Sequence, residues 1–183
     1  MPVLIGIGHK KQHGKDTIAD YLVEKYGFKK TSWAERLKAG INEWHGWDDR
    51  HAYGELKEVV DPYFGYAPRK AYQDIGTNLM RNQWMSDFWV KCAMRQIQGW
   101  LDQGYSVVVP DTRFPNEAQA VREAGGQVWK VHRPSLPSND QHESETALDG
   151  WDGWDWVITN DGTLDDLYQR AEHCLDPLKS IIG

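Results

Sequence analysis

The sequence predicts an α/β protein, a three-layer parallel sheet flanked by helices, and three observations carry that expectation. The apolar run Val3-Leu4-Ile5-Gly6-Ile7 gives way to a polar, glycine-bounded loop that ends in Gly14-Lys15 and opens a helix. Apolar, β-branched runs return at 105–111, 127–132 and 154–159 with helical patterns between them, an alternation that builds parallel sheet. A length of 183 residues with 40% hydrophobic content suits one substantial core and is short for two. The expectation is a single domain, 1–183, with an insertion over about 33–100 and a lid over about 133–147.

Chemistry concentrates in the first loop. Ile18, Tyr21 and Leu22 share one helical face, so the helix starts near Lys15 and turns its free N–H groups and positive dipole end towards the loop, where an anion is the favoured occupant. The phosphate-loop pattern G-x-x-x-x-G-K-[ST] is met with two departures. His9 stands at the first glycine position, with Gly8 one residue earlier, so the loop is either one residue longer or tolerates His9, and Asp16 follows Lys15 where a hydroxyl is expected. A carboxylate at 16 can hold Mg²⁺ directly or through water, and Thr17 is left to reach a phosphate oxygen. Gly8, His13, Gly14, Lys15, Asp16 and Thr17 are therefore the candidate nucleotide contacts. The bland alternative is a glycine-rich turn entering an ordinary helix.

A net charge of −6 and a pI near 5.6 argue against a protein that coats nucleic acid by charge alone, and favour a nucleotide over a duplex as ligand. Cys92 and Cys174 have no metal-ligand spacing, which disfavours a disulfide framework or a zinc site and suits a reducing compartment. The first strand leaves no room for a removable signal, and no apolar run is long enough to span a bilayer. A soluble, cytoplasmic protein is expected; a homodimer is allowed.

Along the chain, Gly27 stops the first helix, Phe28–Thr31 forms a short second strand, and Ser32-Trp33-Ala34-Glu35 has capping-box spacing for a helix running to Ile41. Arg36 and Lys38 on it either meet a substrate phosphate or are solvated. A short helix is expected from His51 to Val60, and Pro68 starts another that carries Arg69, Gln73, Thr77 and Arg81. The spacing of four puts an amide, a hydroxyl and a guanidinium on one face, able to read a base edge and grip a phosphate, unless the face is merely solvated. Gln83–Leu101 reads as a helix with Trp84, Phe88, Cys92 and Ile97 among its apolar positions.

The strand 105–111 delivers Asp111 to its carboxyl end, a Walker-B-like position beside Lys15, with Arg113 next to it and Pro115 opening the next helix. A fourth strand, Gln127–His132, leads into the polar stretch Arg133–Glu145, long enough to be a lid that brings Arg133 to the nucleotide. Asp140, His142, Glu143 and Glu145 in it suit a hydrogen-bonded hinge or a solvated loop better than a metal cluster. A last strand, 154–159, places Asn160 at the sheet end before a closing helix, Leu164–Cys174. Trp151, Trp154 and Trp156 are read as packing rather than as a base-stacking platform.

Gly14-Lys15-Asp16-Thr17, Pro68-Arg69, Gln73, Gly76-Thr77, Arg81, Asp87-Phe88-Trp89, Asp111-Thr112-Arg113-Phe114-Pro115-Asn116-Glu117, His142-Glu143-Ser144-Glu145 and Asn160-Asp161-Gly162-Thr163-Leu164 occur in an order that resembles the phage-type deoxynucleoside monophosphate kinases. The resemblance spans nearly the whole chain. It implies a P-loop nucleoside monophosphate kinase-like fold with a helical monophosphate-binding insertion and a lid, transferring the γ-phosphoryl group of ATP to a deoxynucleoside monophosphate, in the cytoplasm of an infected host if phage-encoded. Carried onto this sequence, Lys15 holds the β and γ phosphates, Asp16 and Asp111 the Mg²⁺ shell, and Thr17 a nucleotide phosphate. Arg69, Arg81 and Arg113 neutralise the acceptor and transferring groups, with Lys38, Gln73 and Thr77 on the acceptor side and Arg133 and Asn160 on the ATP side. Two alternatives stay open: a related kinase acting on a modified base such as 5-hydroxymethyluracil in phage DNA, and a nucleotide-binding module without activity.

Overall fold

The most apolar segments of the chain lie side by side in one sheet, because each is buried on both faces and needs helices above and below it. In a computed structural model, which describes residues 1–136 and 143–182, this sheet has five strands in the order β2-β3-β1-β4-β5. They are β1 (Leu4–Gly8), β2 (Lys29–Lys30), β3 (Val107–Thr112), β4 (Gln127–His132) and β5 (Trp156–Thr159). Every pairing is parallel, so all five carboxyl ends open on one edge.

The chain divides into two compact units, 1–32 with 94–183, and 33–93. The first holds the sheet with α1 (Lys15–Tyr26), α6 (Pro115–Glu123), α7 (Glu143–Thr146), α8 (Leu164–Ile182) and most of α5 (Phe88–Asp102). Its core joins Ile5, Ile7, Val108, Trp129, Val131 and Ile158 of the sheet to Ile18 and Leu22 of α1 and Leu167, Ala171 and Leu175 of α8. Burial of Leu175 and the packing of Leu178 carry α8 through Pro177, past its expected end at Cys174. Trp154 closes over β1 and Trp151 meets it edge-on at 4.6 Å, so these rings pack, as expected.

β1 and β3 fall out of step. Gly6 lies opposite Val109 and Gly8 opposite Thr112, two steps on one strand against three on the other. This bulge contains Pro110 and Asp111, and a bulge is one of the few places where a sheet accepts proline.

The second unit holds α2 (Glu35–His45), α3 (Asp49–Ala52), α4 (Pro68–Ala71) and a π-helix, Tyr72–Trp84. Its core is aromatic: Trp47, Tyr72, Phe64, Tyr66 and Trp89 gather around Leu37 and Ile41. Buried polar groups there are paired. Tyr72 donates to Asn42 Oδ1 at 2.6 Å, the Trp47 indole to Asp61 at 2.7 Å and the Trp89 indole to the Gly76 carbonyl at 3.0 Å.

The structure corrects four local expectations. The helix assigned to start at Ser32 starts at Glu35, with no side-chain cap on Ala34, because a turn through 33–34 first buries Trp33. The helix expected over 51–60 is one turn, Asp49–Ala52, capped by Asp48, which accepts from the Arg50 N–H at 3.0 Å. The helix from Pro68 widens to π geometry after one turn, its backbone bonds reaching the fifth residue. Gln73 and Thr77 on it are exposed and Arg81 is half-buried. The helix expected from Gln83 begins at Phe88, since Met85 is extended, and Trp84 is left 62% exposed at the end of the π-helix.

A Cβ on Gly8 would meet the Thr112 carbonyl oxygen at 2.7 Å and the Trp154 ring at 2.9 Å. Gly8→Ala is therefore expected to destabilise the protein by about 1–3 kcal/mol, read as a lower urea midpoint with an unchanged slope.

Candidate active site

The loop between β1 and α1 is shaped by three residues with positive φ: His9 at 94°, Gln12 at 61° and Gly14 at 106°. His9 therefore takes the backbone conformation that the first glycine of the pattern supplies, and the loop keeps its length. Histidine is among the non-glycine residues that tolerate this region best. Gly14 is constrained by space as well, since a Cβ there would lie 2.8 Å from Asn160 Nδ2. That same amide donates to the His13 carbonyl at 3.0 Å and ties the loop to the end of β5.

Lys15 opens α1 and is only 4% exposed. Its ammonium donates to the Lys10 carbonyl across the loop at 2.5 Å. Burial first, then the positive charge of Arg113, pull its pKa down to about 8 against the opposing pull of Glu145, Asp16 and Asp111. The desolvated amine thus sits among two carboxylates of the expected metal shell, a guanidinium and the helix N-terminus.

Glu145 is the buried carboxylate of this edge, at 7% exposure. It accepts from the Lys11 N–H at 2.8 Å and pairs with Arg113, while its own carbonyl accepts from the Lys10 ammonium. Burial would raise its pKa, but the Lys11 N–H and Arg113 together hold it below the ordinary carboxylate value. Of the two readings available from sequence, hydrogen-bonded hinge or solvated loop, Glu145 takes the first. Asp140 and His142, named with it, lie outside the described residues, as do residues 137–142 of the expected lid.

Asp111 is half-buried at the bulge of β3, and the Arg113 N–H after it donates to Glu117 at 2.7 Å, which fixes the turn into α6. Asp16 is more open than a metal ligand in a closed shell, with 76% of its side chain exposed and Lys30 Nζ 3.0 Å from Oδ1. A cavity of about 340 Å³ runs along this edge, lined by Gly14, Lys15, Asp16 and Thr17 on one side and by Arg133, Asn160 and Thr163 among others on the far side. Gly14, Lys15, Asp16, Thr17, Arg133 and Asn160, all expected nucleotide contacts, therefore share one space.

Gly8 and His13 do not join them. Gly8 belongs to the packing under Trp154, and His13 is buried with its ring turned inward, accepting from the Arg133 N–H at Nδ1 (3.2 Å) and donating from Nε2 to the Leu136 carbonyl (3.1 Å). The role of His13 is to hold the chain leaving β4 against the loop. The lining residues Gln12, Gly162, Thr163, Leu164 and Leu167 are not among the expected contacts, although the block Asn160–Leu164 carries the signal. In the second unit, Lys38 Nζ lies 3.9 Å from the centroid of the Tyr53 ring, and Arg69 pairs with Glu58 at 2.6 Å on the surface.

A parallel sheet with a phosphate loop at its carboxyl edge, a buried loop lysine and a strand-end aspartate defines a P-loop kinase-type protein. Solved structures agree in fold: a sugar kinase from a Janibacter species (TM-score 0.59, 13% identity, covering 100% of this chain and 99% of that one) and a dephospho-CoA kinase from Campylobacter jejuni (0.55, 15%, 97% of each). The deoxynucleotide monophosphate kinase family model matches residues 49–171, and the chain belongs to that family. It is 33% identical to a candidate deoxynucleotide monophosphate kinase of Acanthamoeba polyphaga mimivirus over 95% of this chain and 96% of that protein. It is also 38% identical to the deoxynucleotide monophosphate kinase of Enterobacteria phage T4, over 69% of this chain and 53% of the phage protein.

Because the folded pKa of Glu145 is depressed, its contribution to stability is complete above the unfolded value and is lost as pH falls through the folded one. Glu145→Gln should cost about 1–3 kcal/mol at neutral pH and reduce the acid-side fall in stability. Urea midpoints of wild type and variant between about pH 7 and pH 3 check both, the gap closing as the wild-type carboxylate protonates.

Proposed function

We propose that this protein transfers the γ-phosphoryl group of ATP to a deoxynucleoside monophosphate, giving the diphosphate. The observation that carries the reading is the buried Lys15, which lines the phosphate-loop cavity within electrostatic reach of Asp111 and Arg113. On this reading the nucleoside of ATP lies against Gly162, Thr163, Leu164 and Leu167, and its phosphates run towards Gly14–Thr17. Lys15 exchanges its bond to the Lys10 carbonyl for the β and γ phosphates. Arg133 and Asn160 hold the nucleotide from the far side, Asn160 mainly by keeping the loop in shape.

Two carboxylates within electrostatic reach of Lys15, one of them lining the cavity, are the hard oxygen donors that Mg²⁺ prefers. Asp111 and Asp16 would hold it, Asp16 by leaving Lys30, and the ion would offset charge on the β and γ oxygens. Arg113 neutralises the transferring group; the acceptor phosphate is already ionised, so transfer needs positioning and charge rather than a strong base. Lys38, Arg69, Gln73, Thr77 and Arg81 of the second unit take the deoxynucleoside monophosphate.

Incubation with γ-labelled ATP against a panel of deoxynucleoside monophosphates and hydroxymethyluracil-containing DNA tests the reading. Label should appear in one or more deoxynucleoside diphosphates, and Lys15→Ala and Asp111→Asn should each lower kcat by about 10²–10³-fold in folded protein. Label in DNA alone, or undiminished turnover in Lys15→Ala, would overturn it.

The low pKa of Lys15 sets a second expectation. In nucleotide-free protein the amine loses its charge as pH rises through about 8, so ATP affinity should be level below that pH and weaken about tenfold per unit above it. Lys15→Met should bind more weakly and without this alkaline limb, as followed by calorimetry across the range.

A further inference from the structure

Behind the phosphate loop, three histidines face one another. His9 and His13 come from the loop and His132 from the end of β4, with ring centroids 5.5–5.8 Å apart and each pair set edge to face. A ligand nitrogen from each lies within 4.8 Å of the other two. None of the phosphoryl-transfer chemistry above uses this cluster.

The nitrogens are disposed as ligands more than as a packed core. His9 has 9% of its side chain exposed, and its Nδ1 is buried with no hydrogen-bond partner, a state that normally costs free energy and is rare in folded chains. Its other nitrogen, Nε2, faces the Asp149 carboxylate at 4.0 Å. His13 donates from Nε2 to the Leu136 carbonyl, which leaves its lone pair on Nδ1, engaged by a long 3.2 Å bond from the Arg133 N–H. In both of these rings one nitrogen faces a carboxylate or a backbone carbonyl, the outer arrangement that orients metal-binding imidazoles; the other is unpartnered in His9, and in His13 a metal would displace the Arg133 N–H from it. Burial first, then the charge of Lys130, hold the pKa of His9 down to about 4, so that its ring is unprotonated at neutral pH. Lys130 and Lys10 oppose a further positive charge; Asp149, 2.7 Å from Lys10 Nζ, answers part of it.

We propose that His9, His13 and His132 form a three-imidazole site for a borderline divalent metal, Zn²⁺ foremost, bound through Nδ1 of His9 and Nδ1 of His13 with His132 as third ligand. Zn–N bonds of about 2.0–2.1 Å in tetrahedral geometry require the nitrogens to draw together from spacings of up to 4.8 Å, a movement of up to about 1.5 Å per pair that imidazole rotation can supply. A fourth position is left for water, as in other three-histidine sites. Mg²⁺ is excluded by donor type, since it takes oxygen ligands. The ion would join the two ends of the phosphate loop to the exit of β4, and so stiffen the loop at the point where histidine replaces the expected glycine.

Untagged, nucleotide-free protein titrated with Zn²⁺ by calorimetry, and with Co²⁺ by visible absorption, tests the site. One equivalent per chain is expected, with the intense d–d bands of four-coordinate Co²⁺ and a rise in thermal midpoint on Zn²⁺ addition. His9→Asn keeps a residue that accepts positive φ, and His132→Gln changes an ordinary strand end; each should weaken Zn²⁺ binding at least about tenfold while retaining the native circular dichroism. Absence of stoichiometric binding by wild type, or binding by both variants as tight as that of wild type, would overturn the proposal. If His9→Asn does not fold, His132→Gln decides alone.

Discussion

The carboxyl edge of the sheet depends on keeping one desolvated ammonium in place. Lys15 is buried by the loop that precedes it and donates to a carbonyl of that loop, so the loop's shape and the amine's position are the same constraint. Each neighbour contributes to it. Asn160 braces the loop from β5, Glu145 braces it from α7 through the Lys11 N–H, and Arg113 is held by the same Glu145. A charged group buried this deeply is costly unless compensated, and here compensation comes from residues drawn from several separate segments of sequence. The distribution ties the position of the amine to the assembly of the whole sheet edge.

How much of this could be read from residues depended on the range over which the information acts. The strands were legible because apolar runs bounded by glycine and polar turns are a local signal, and Gln127–His132 falls where that pattern places it. The phosphate loop was legible through Gly14-Lys15 and the helical face behind them, and Arg133 and Asn160 do share the cavity with that loop. His13 was legible as part of the motif but not in its role, since the direction in which a loop side chain turns is set by Leu136 and Arg133, more than a hundred residues away. The proximity of His132 to His9 and His13 has the same origin: it exists only because β1 and β4 are neighbours in register.

The second unit was harder to read. Its aromatic residues fall without clear periodicity, and what organises them is a set of polar tethers: Tyr66 to His45 at 2.8 Å, Trp47 to Asp61 and Tyr72 to Asn42. Such pairings cannot be inferred from spacing. The π-helix is equally silent in sequence, because Gln73, Thr77 and Arg81 sit at intervals that suit an ordinary helix. π-Helical segments recur at functional sites, and this one carries the groups assigned to the acceptor.

The bulge between β1 and β3 has a consequence for how this edge tolerates change. Asp111 is aimed by a mismatch in residue number between two strands, three steps against two. Chain length here behaves as a coordinate: deleting Pro110 would restore even pairing and remove the bulge that sets Asp111 out of step with β1, whereas many replacements of the proline itself would leave the offset standing. For any lineage of such sequences, gain or loss of a single codon at this point is a coarser event than nearly any exchange of one amino acid for another.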